Sequence, residues 1–463
     1  MPDPVLPPPL HPNDIPEKLP GAKVAWVVVL VSVIFLGWTA NKPLPGGESN
    51  VVASESANDL AILKLQSRIV IGLMQFPMYR SEAIRNLEQL TMFASNPKSA
   101  AAVAIVNVFA DEENGLASGL KILDKLDEMN ADQIAMVEKV RIGLENGVTP
   151  EQRAGLKPEL GWFADLIKPE AETEGDFGTS IKAEAIRSMI IMGVFICLAI
   201  FAFLTGLILL LLFLLNRSRE NLKSKFCPGE APQFRHLFME SFAVYIGLMA
   251  LGHLLASFFD SSIAMVFYGL SFVLAVFWPK IRGCSWIQFC QLIGWNRGKG
   301  FFREIGAGIL GYFGILVIAG IGLTVTMIVM LIVSFVQSGG PPEAGSGATH
   351  PIVGMLDSTD GLIGKLLLLF FAAGLAPFLE ETMFRGALFR YFRHHWGFFL
   401  SAVVGGIIFA VIHPQGLVAV PALAAMGIGF ALLREWRDSL LASMTAHAIN
   451  NGVIVGLLLL VIS

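Results

Sequence analysis

An all-α fold is predicted for this chain: a polytopic membrane helical bundle of about nine transmembrane helices carrying a small helical extracytoplasmic insert. Three observations predict it. Of 463 residues, 54% are hydrophobic and 15% charged, and the mean hydropathy is +0.64, too apolar and too poor in charge for an ordinary water-soluble protein. Apolar runs long enough to cross ~30 Å of hydrocarbon as helices recur near 23–40, 186–215, 237–257, 261–279, 304–337, 362–393, 398–413, 417–433 and 439–462. Finally, Lys and Arg gather in alternate connections: Arg217, Arg219, Lys223, Lys225 and Arg235; Lys280, Arg282, Arg297, Lys299 and Arg303; Arg390 and Arg393; Arg434 and Arg437. The loop between 338 and 361 holds Glu343, Asp357 and Asp360 but no Lys or Arg. Basic connections stay on the cytoplasmic side, so the N-terminus is expected inside and the C-terminus outside. The net charge of −4 adds little to this.

From the start of the chain, residues 1–22 contain Pro-Pro-Pro-Leu-His-Pro and read as a disordered, extended tail. The run over 23–40 follows Lys18 and Lys23 and reads as an N-terminal transmembrane anchor. A cleaved secretory signal ending near Thr39-Ala40 is the other reading; the proline-rich leader and the length of the run favour retention. Residues 41–57, with Pro43, Pro45, Gly46 and Gly47, read as a linker. Over 58–184 the chain turns polar with apolar residues at helical spacing, Leu60, Leu63, Ile69 and Leu73 in one stripe and Leu116, Leu120, Leu123 and Leu126 in another. Asn96-Pro97, Gly115, Thr149-Pro150 and Lys157-Pro158 punctuate it. This is the expected extracytoplasmic insert, read as a plain helical spacer rather than a docking module. A transmembrane helix and a basic cytoplasmic loop fill 185–236, and a membrane core fills 237–463. The aromatic and basic stretch from 286 to 303 reads as a connector at the headgroup level. Cys197, Cys227, Cys284 and Cys290 fall in spans or on the cytoplasmic side, so neither a disulfide framework nor a zinc-site pattern is expected.

The chemistry concentrates in Leu379-Glu380-Glu381-Thr382-Met383-Phe384-Arg385-Gly386, three ionisable side chains inside an apolar run. Charges at bilayer depth are costly unless paired or lining a wet cavity, and so mark functional sites. Glu381 and Arg385 stand at i and i+4 on one helix face and can pair. Glu380 is rotated ~100° from Glu381 and is left for chemistry. His394-His395-Trp396-Gly397 turns the chain into an antiparallel span ending Phe409-Ala410-Val411-Ile412-His413. Glu380 and His413 each lie ~20–25 Å from that turn at 1.5 Å per residue, hence at one depth. His447 and Asn451 share a face ~14–20 Å beyond the turn near Asp438. A lone membrane histidine is often only a helix-to-helix hydrogen-bonding group; an unpaired Glu, two His and an Asn at similar depth point to more. A carboxylate and an imidazole can activate a water against a carbonyl, with a second imidazole and an amide receiving the oxyanion. Glu380, His413 and His447 could equally ligate zinc with water in the open position. The residue pattern leaves both open.

In this order and spacing, Glu380-Glu381-Thr382-Met383-Phe384-Arg385 (EExxxR), Phe409 to His413 (FxxxH) and His447 to Asn451 (HxxxN) resemble the CPBP or ABI family of intramembrane proteases, which includes the type II CAAX prenyl endopeptidases. The resemblance covers roughly 240–463. It implies a helical membrane core with a cavity near the cytoplasmic side, Glu380 and His413 as water activators, and His447 and Asn451 as the oxyanion hole. Glu381, Arg385 and Phe409 would support the site. The family was first labelled metalloprotease; a metal-independent glutamate mechanism is what its architecture implies. The expected function is therefore an endopeptidase acting on a membrane-associated, CAAX-type prenylated or other, protein or peptide in a bacterial plasma membrane, with no nucleic-acid partner. A catalytically silent scaffold or bacteriocin-immunity protein on the same fold is the alternative. A transporter is disfavoured, because no two matching halves with interrupted helices are visible.

Overall fold

The computed structural model describes residues 21–40, 48–126, 129–170, 177–216, 224, 226, 235–260, 262–338, 359 and 361–462. The N-terminal tail to residue 20, Cys227, most of the basic loop before residue 235 and the acidic loop at 339–358 lie outside them. The described chain is helical, with no strands beyond an isolated bridge between Val148 and Pro169. Among the described residues seven helices are long and apolar enough to cross a membrane. The runs near 23–40 and 398–413, also expected to span, form shorter helices of 19 and 14 residues. The protein is thus a multi-pass helical membrane protein.

Two compact units divide the chain, one comprising 1–46, 208–323 and 375–449, the other 47–207, 324–374 and 450–463. In the first, α1 (Gly21–Thr39) and α10 (Ser262–Ile281) both pack along α9 (Arg235–Ala256). Burial of Ala25, Val29 and Leu36 marks one face of α1, which meets a core containing Phe238, Phe242, Tyr245, Ile246 and Val276. Trp26 stacks on Phe392 at 5.9 Å and its Nε1 donates to the Tyr391 hydroxyl at 2.9 Å. The N-terminal helix is built into this core. Trp26→Ala is expected to destabilise the protein by about 1–2 kcal/mol, read as a lower thermal midpoint in detergent.

Pro279 sits inside α10 and cannot donate a backbone hydrogen bond to Ala275. The Ser241 hydroxyl on α9 donates to that carbonyl instead, at 2.6 Å. The short helix α11 (Trp286–Ile293) starts with a capping box between Ser285 and Gln288 and ends at Gly294, whose φ of +100° suits glycine. The stretch expected to be a headgroup connector is more than that: Phe289 and Ile293 are buried in the core, and Leu292 accepts from Arg390 at 2.8 Å. Its aromatic residues turn inward because they find partners there.

Next come α12 (Phe301–Ser338), α13 (Gly361–His395), α14 (Phe398–Val411), α15 (Val420–Arg437) and α16 (Leu440–Ile462). Two of the basic residues expected at the helix ends are paired by two bonds each. Arg393 forks onto Glu435 at 3.0 and 2.9 Å, and Arg437 onto Glu304 at 2.8 and 2.6 Å; such bidentate pairs fix geometry as well as charge.

The second unit holds α2 (Glu48–Met74), α3 (Arg80–Gln89), α4 (Pro97–Ala110), α5 (Gly115–Leu123), α6 (Ala131–Asn146), α7 (Pro150–Leu160) and most of α8 (Thr179–Asn216). Several expectations need correction here. The presumed linker is helical from Glu48 onward, because after Gly47 it contains no Gly or Pro to stop a helix. In α2 the buried face is Leu63, Ser67, Val70 and Ile71, not the stripe through Ile69 and Leu73, which are half-buried. In α5, Leu116 is 42% exposed while Gly115 and Gly119 are buried; a Cβ on Gly119 would come within 2.8 Å of the Ala104 carbonyl, so glycine lets α5 sit directly on α4. Asn96-Pro97 and Thr149-Pro150 are helix starts, with capping boxes and proline in the first turn, whereas Pro158 lies inside α7. The centre of the unit is α4, buried throughout from Ala100 to Val106.

Candidate active site

Glu380 and Glu381 end a regular turn of α13 and Thr382–Leu388 continues as π-helix, a form that recurs at functional sites. Glu381 and Arg385 pair at 2.9 Å with side chains 0% and 3% exposed. Arg385 Nη2 also donates to the Gly427 carbonyl on α15 at 3.0 Å. Its guanidinium lies 4.6 Å from the Phe409 ring centre and 5.2 Å from that of Phe430, so aromatic faces replace water around the cation. The close approach needs small residues. A Cβ on Gly427 would meet the Gly406 Cα at 2.9 Å and Arg385 Nη2 at 3.2 Å. Gly427→Ala is expected to destabilise by about 1–3 kcal/mol through overpacking, measured as loss of thermal midpoint.

Glu380 is 17% exposed, and its Oε2 faces two imidazoles: His413 Nε2 at 3.9 Å and His447 Nε2 at 3.8 Å. The other nitrogen of each ring is tied down. His413 Nδ1 lies 2.5 Å from the Phe409 carbonyl, and His447 Nδ1 lies 3.0 Å from Glu381 Oε1. Both partners only accept, so both Nδ1 atoms carry a hydrogen and each ring turns its Nε2 toward Glu380. His447 stacks on Phe430 at 4.7 Å, and Phe409 packs on His413 at 4.3 Å. His413 reaches this layer because α14 ends at Val411.

Glu380, Glu381, Arg385, Phe409, His413 and His447 therefore meet in one place. Asn451 belongs to the second unit. There its Nδ2 donates to the Ala372 carbonyl at 2.9 Å, in a π-helical turn followed by Pro377, which has no N–H to supply. Two contacts escaped the sequence reading. The Tyr268 hydroxyl on α10 donates to Glu380 Oε1 at 3.5 Å. Trp295 Nε1 donates to the Thr382 hydroxyl at 3.0 Å, while that hydroxyl donates to the Phe378 carbonyl at 2.7 Å. Depth arithmetic finds Tyr268: it stands 13 positions before Ile281, the last residue of α10, much as Glu380 stands 14 before His394.

As to metals, the three donors are spread wider than the ~3.3 Å that tetrahedral zinc with ~2.05 Å bonds imposes, and among the described residues no group of three His, Cys, Asp or Glu is set to hold an ion. Outside the spans, burial pushes the Cys284 thiol up to about 11, so at neutral pH it is a thiol and not a nucleophile.

No curated protein and no solved structure matches the chain. A family model does match, over a narrower stretch than the motifs suggested: residues 362–453, which run from α13 through all three motifs into α16. That stretch is assigned to the Rce1-like family of type II CAAX prenyl endopeptidases.

Proposed function

We propose that the protein is an intramembrane endopeptidase that hydrolyses a peptide bond in a membrane-associated protein or peptide, of prenylated CAAX type. The observation that carries this reading is the carboxylate oxygen of Glu380 set 3.9 and 3.8 Å from two imidazole nitrogens, each ring held through its other nitrogen. A water between Glu380 and His413 hydrogen-bonds to both and gives its proton to Glu380 as its oxygen attacks the scissile carbonyl carbon. The resulting oxyanion is met by His447, with Asn451 the second donor that the HxxxN motif implies. His447 donates from Nε2, its ring held through Nδ1 on Glu381 and against the face of Phe430. The tetrahedral intermediate then breaks its C–N bond, and Glu380 passes the proton to the leaving amine. Arg385 and Phe409 hold Glu381 and His413 in register.

The steps above use no metal, and zinc held by Glu380, His413 and His447 is the alternative. The pattern of basic connections supports a bacterial plasma-membrane orientation with the N-terminus cytoplasmic and the C-terminus outside. The test is cleavage of a fluorogenic farnesylated CAAX-type peptide by detergent-purified protein, with and without a zinc chelator. Cleavage that survives chelation is expected; loss on chelation with recovery on adding zinc would move Glu380, His413 and His447 into ligand roles.

A further inference from the structure

The two oxygens of Glu380 have different surroundings. Oε2 faces His413 and His447, whereas Oε1 faces the hydroxyl of Tyr268 at 3.5 Å. We propose that Tyr268 is a positioning residue that tethers one oxygen of Glu380 so that the other stays aimed at the water held with His413. This rests on the function proposed above, in which Glu380 is the base.

A glutamate carries several rotatable bonds, and its terminal torsion is broad, so an untethered carboxylate swings. Among the described residues no Arg or Lys pairs with Glu380; the nearby cation, Arg385, is committed to Glu381 and Gly427. A phenol meets the need without adding charge, because its O–H donates to a carboxylate and cannot neutralise it at working pH. The tyrosine is itself held in place. Its backbone carbonyl accepts from the Ser271 hydroxyl at 2.7 Å, and its ring packs at 6.5 Å from that of Tyr245, which is buried on α9. Helix α9 in turn packs against the π-helical turn that follows Glu381. One support thus runs from the core of the first unit to the working carboxylate.

The test is the kinetics of Tyr268→Phe on the fluorogenic peptide, with thermal midpoint measured alongside and Glu380→Gln as reference. The expected result is kcat lower by about tenfold at unchanged KM and unchanged midpoint. In a Glu380→Asp background, whose carboxylate is drawn back by one methylene from the tyrosine, the same substitution is expected to have no further effect. Wild-type kinetics for Tyr268→Phe beside an inactive Glu380→Gln would overturn the tether and leave the endopeptidase reading standing. A fall in kcat that comes with a raised KM or a lowered midpoint would mark Tyr268 as packing only. Activity in Glu380→Gln would remove the base and the tether together.

Discussion

Glu380→Gln is expected to lower kcat by about 10²–10⁴-fold, the usual contribution of a positioned general base, while leaving membrane insertion and thermal midpoint near wild type. The amide keeps the shape of the side chain and can still accept from Tyr268, which lies against the Oε1 position. What it loses is the capacity to take a proton from water. Because Glu380 makes no bidentate ion pair, its neutralisation strands no buried cation. Rates from single-turnover cleavage of the fluorogenic peptide measure the effect directly. Wild-type turnover in this variant would assign the proton transfer to another group, and the two histidines would then be examined one at a time.

Arg385→Ala is expected to do damage of a different kind, about 3–5 kcal/mol of lost stability with little folded protein recovered. Removing one partner of a buried pair leaves the other charge uncompensated, and Glu381 is fully buried. Its remaining donor among the site residues is His447, the ring proposed to receive the oxyanion, which is left to hold the charge. Adding Glu381→Gln to Arg385→Ala removes the stranded charge and is expected to restore yield in part without restoring activity. Size-exclusion profiles and thermal midpoints separate the two variants; equal midpoints would mean that Glu381 is held by other groups.

Proximity within the C-terminal helices was legible in the sequence because it follows from helix geometry. A spacing of four put Arg385 beside Glu381, and counting back from two tight turns put His413 and His447 at the depth of Glu380. Other features had no such signal. The inner helix α4 is buried all round, and a helix without a polar face has no period to read. The face of α2 was misjudged by about one residue's rotation, since Ser67, a polar residue, is one of those buried. Trp295 contributes a single hydrogen bond from a segment far from the motifs, and only the packing of α11 brings it in; Tyr268 lies at a depth that counting gives, but a single tyrosine in a span carries no other mark. The π-helical turn after Glu381 likewise depends on neighbours rather than on local propensity.

The seat of α1 sets a timetable for assembly. Trp26 is 365 residues from its hydrogen-bond partner Tyr391. At a synthesis rate of ~5–20 residues per second, it therefore waits roughly 20–70 s for that partner to be made. Through that interval the first helix can be held only by lipid, by insertion machinery, or by the earlier-made α9, against which it also packs. The core around Glu380 consequently closes late, when the last third of the chain arrives, and the nascent protein stays catalytically inert until its final helices are in place.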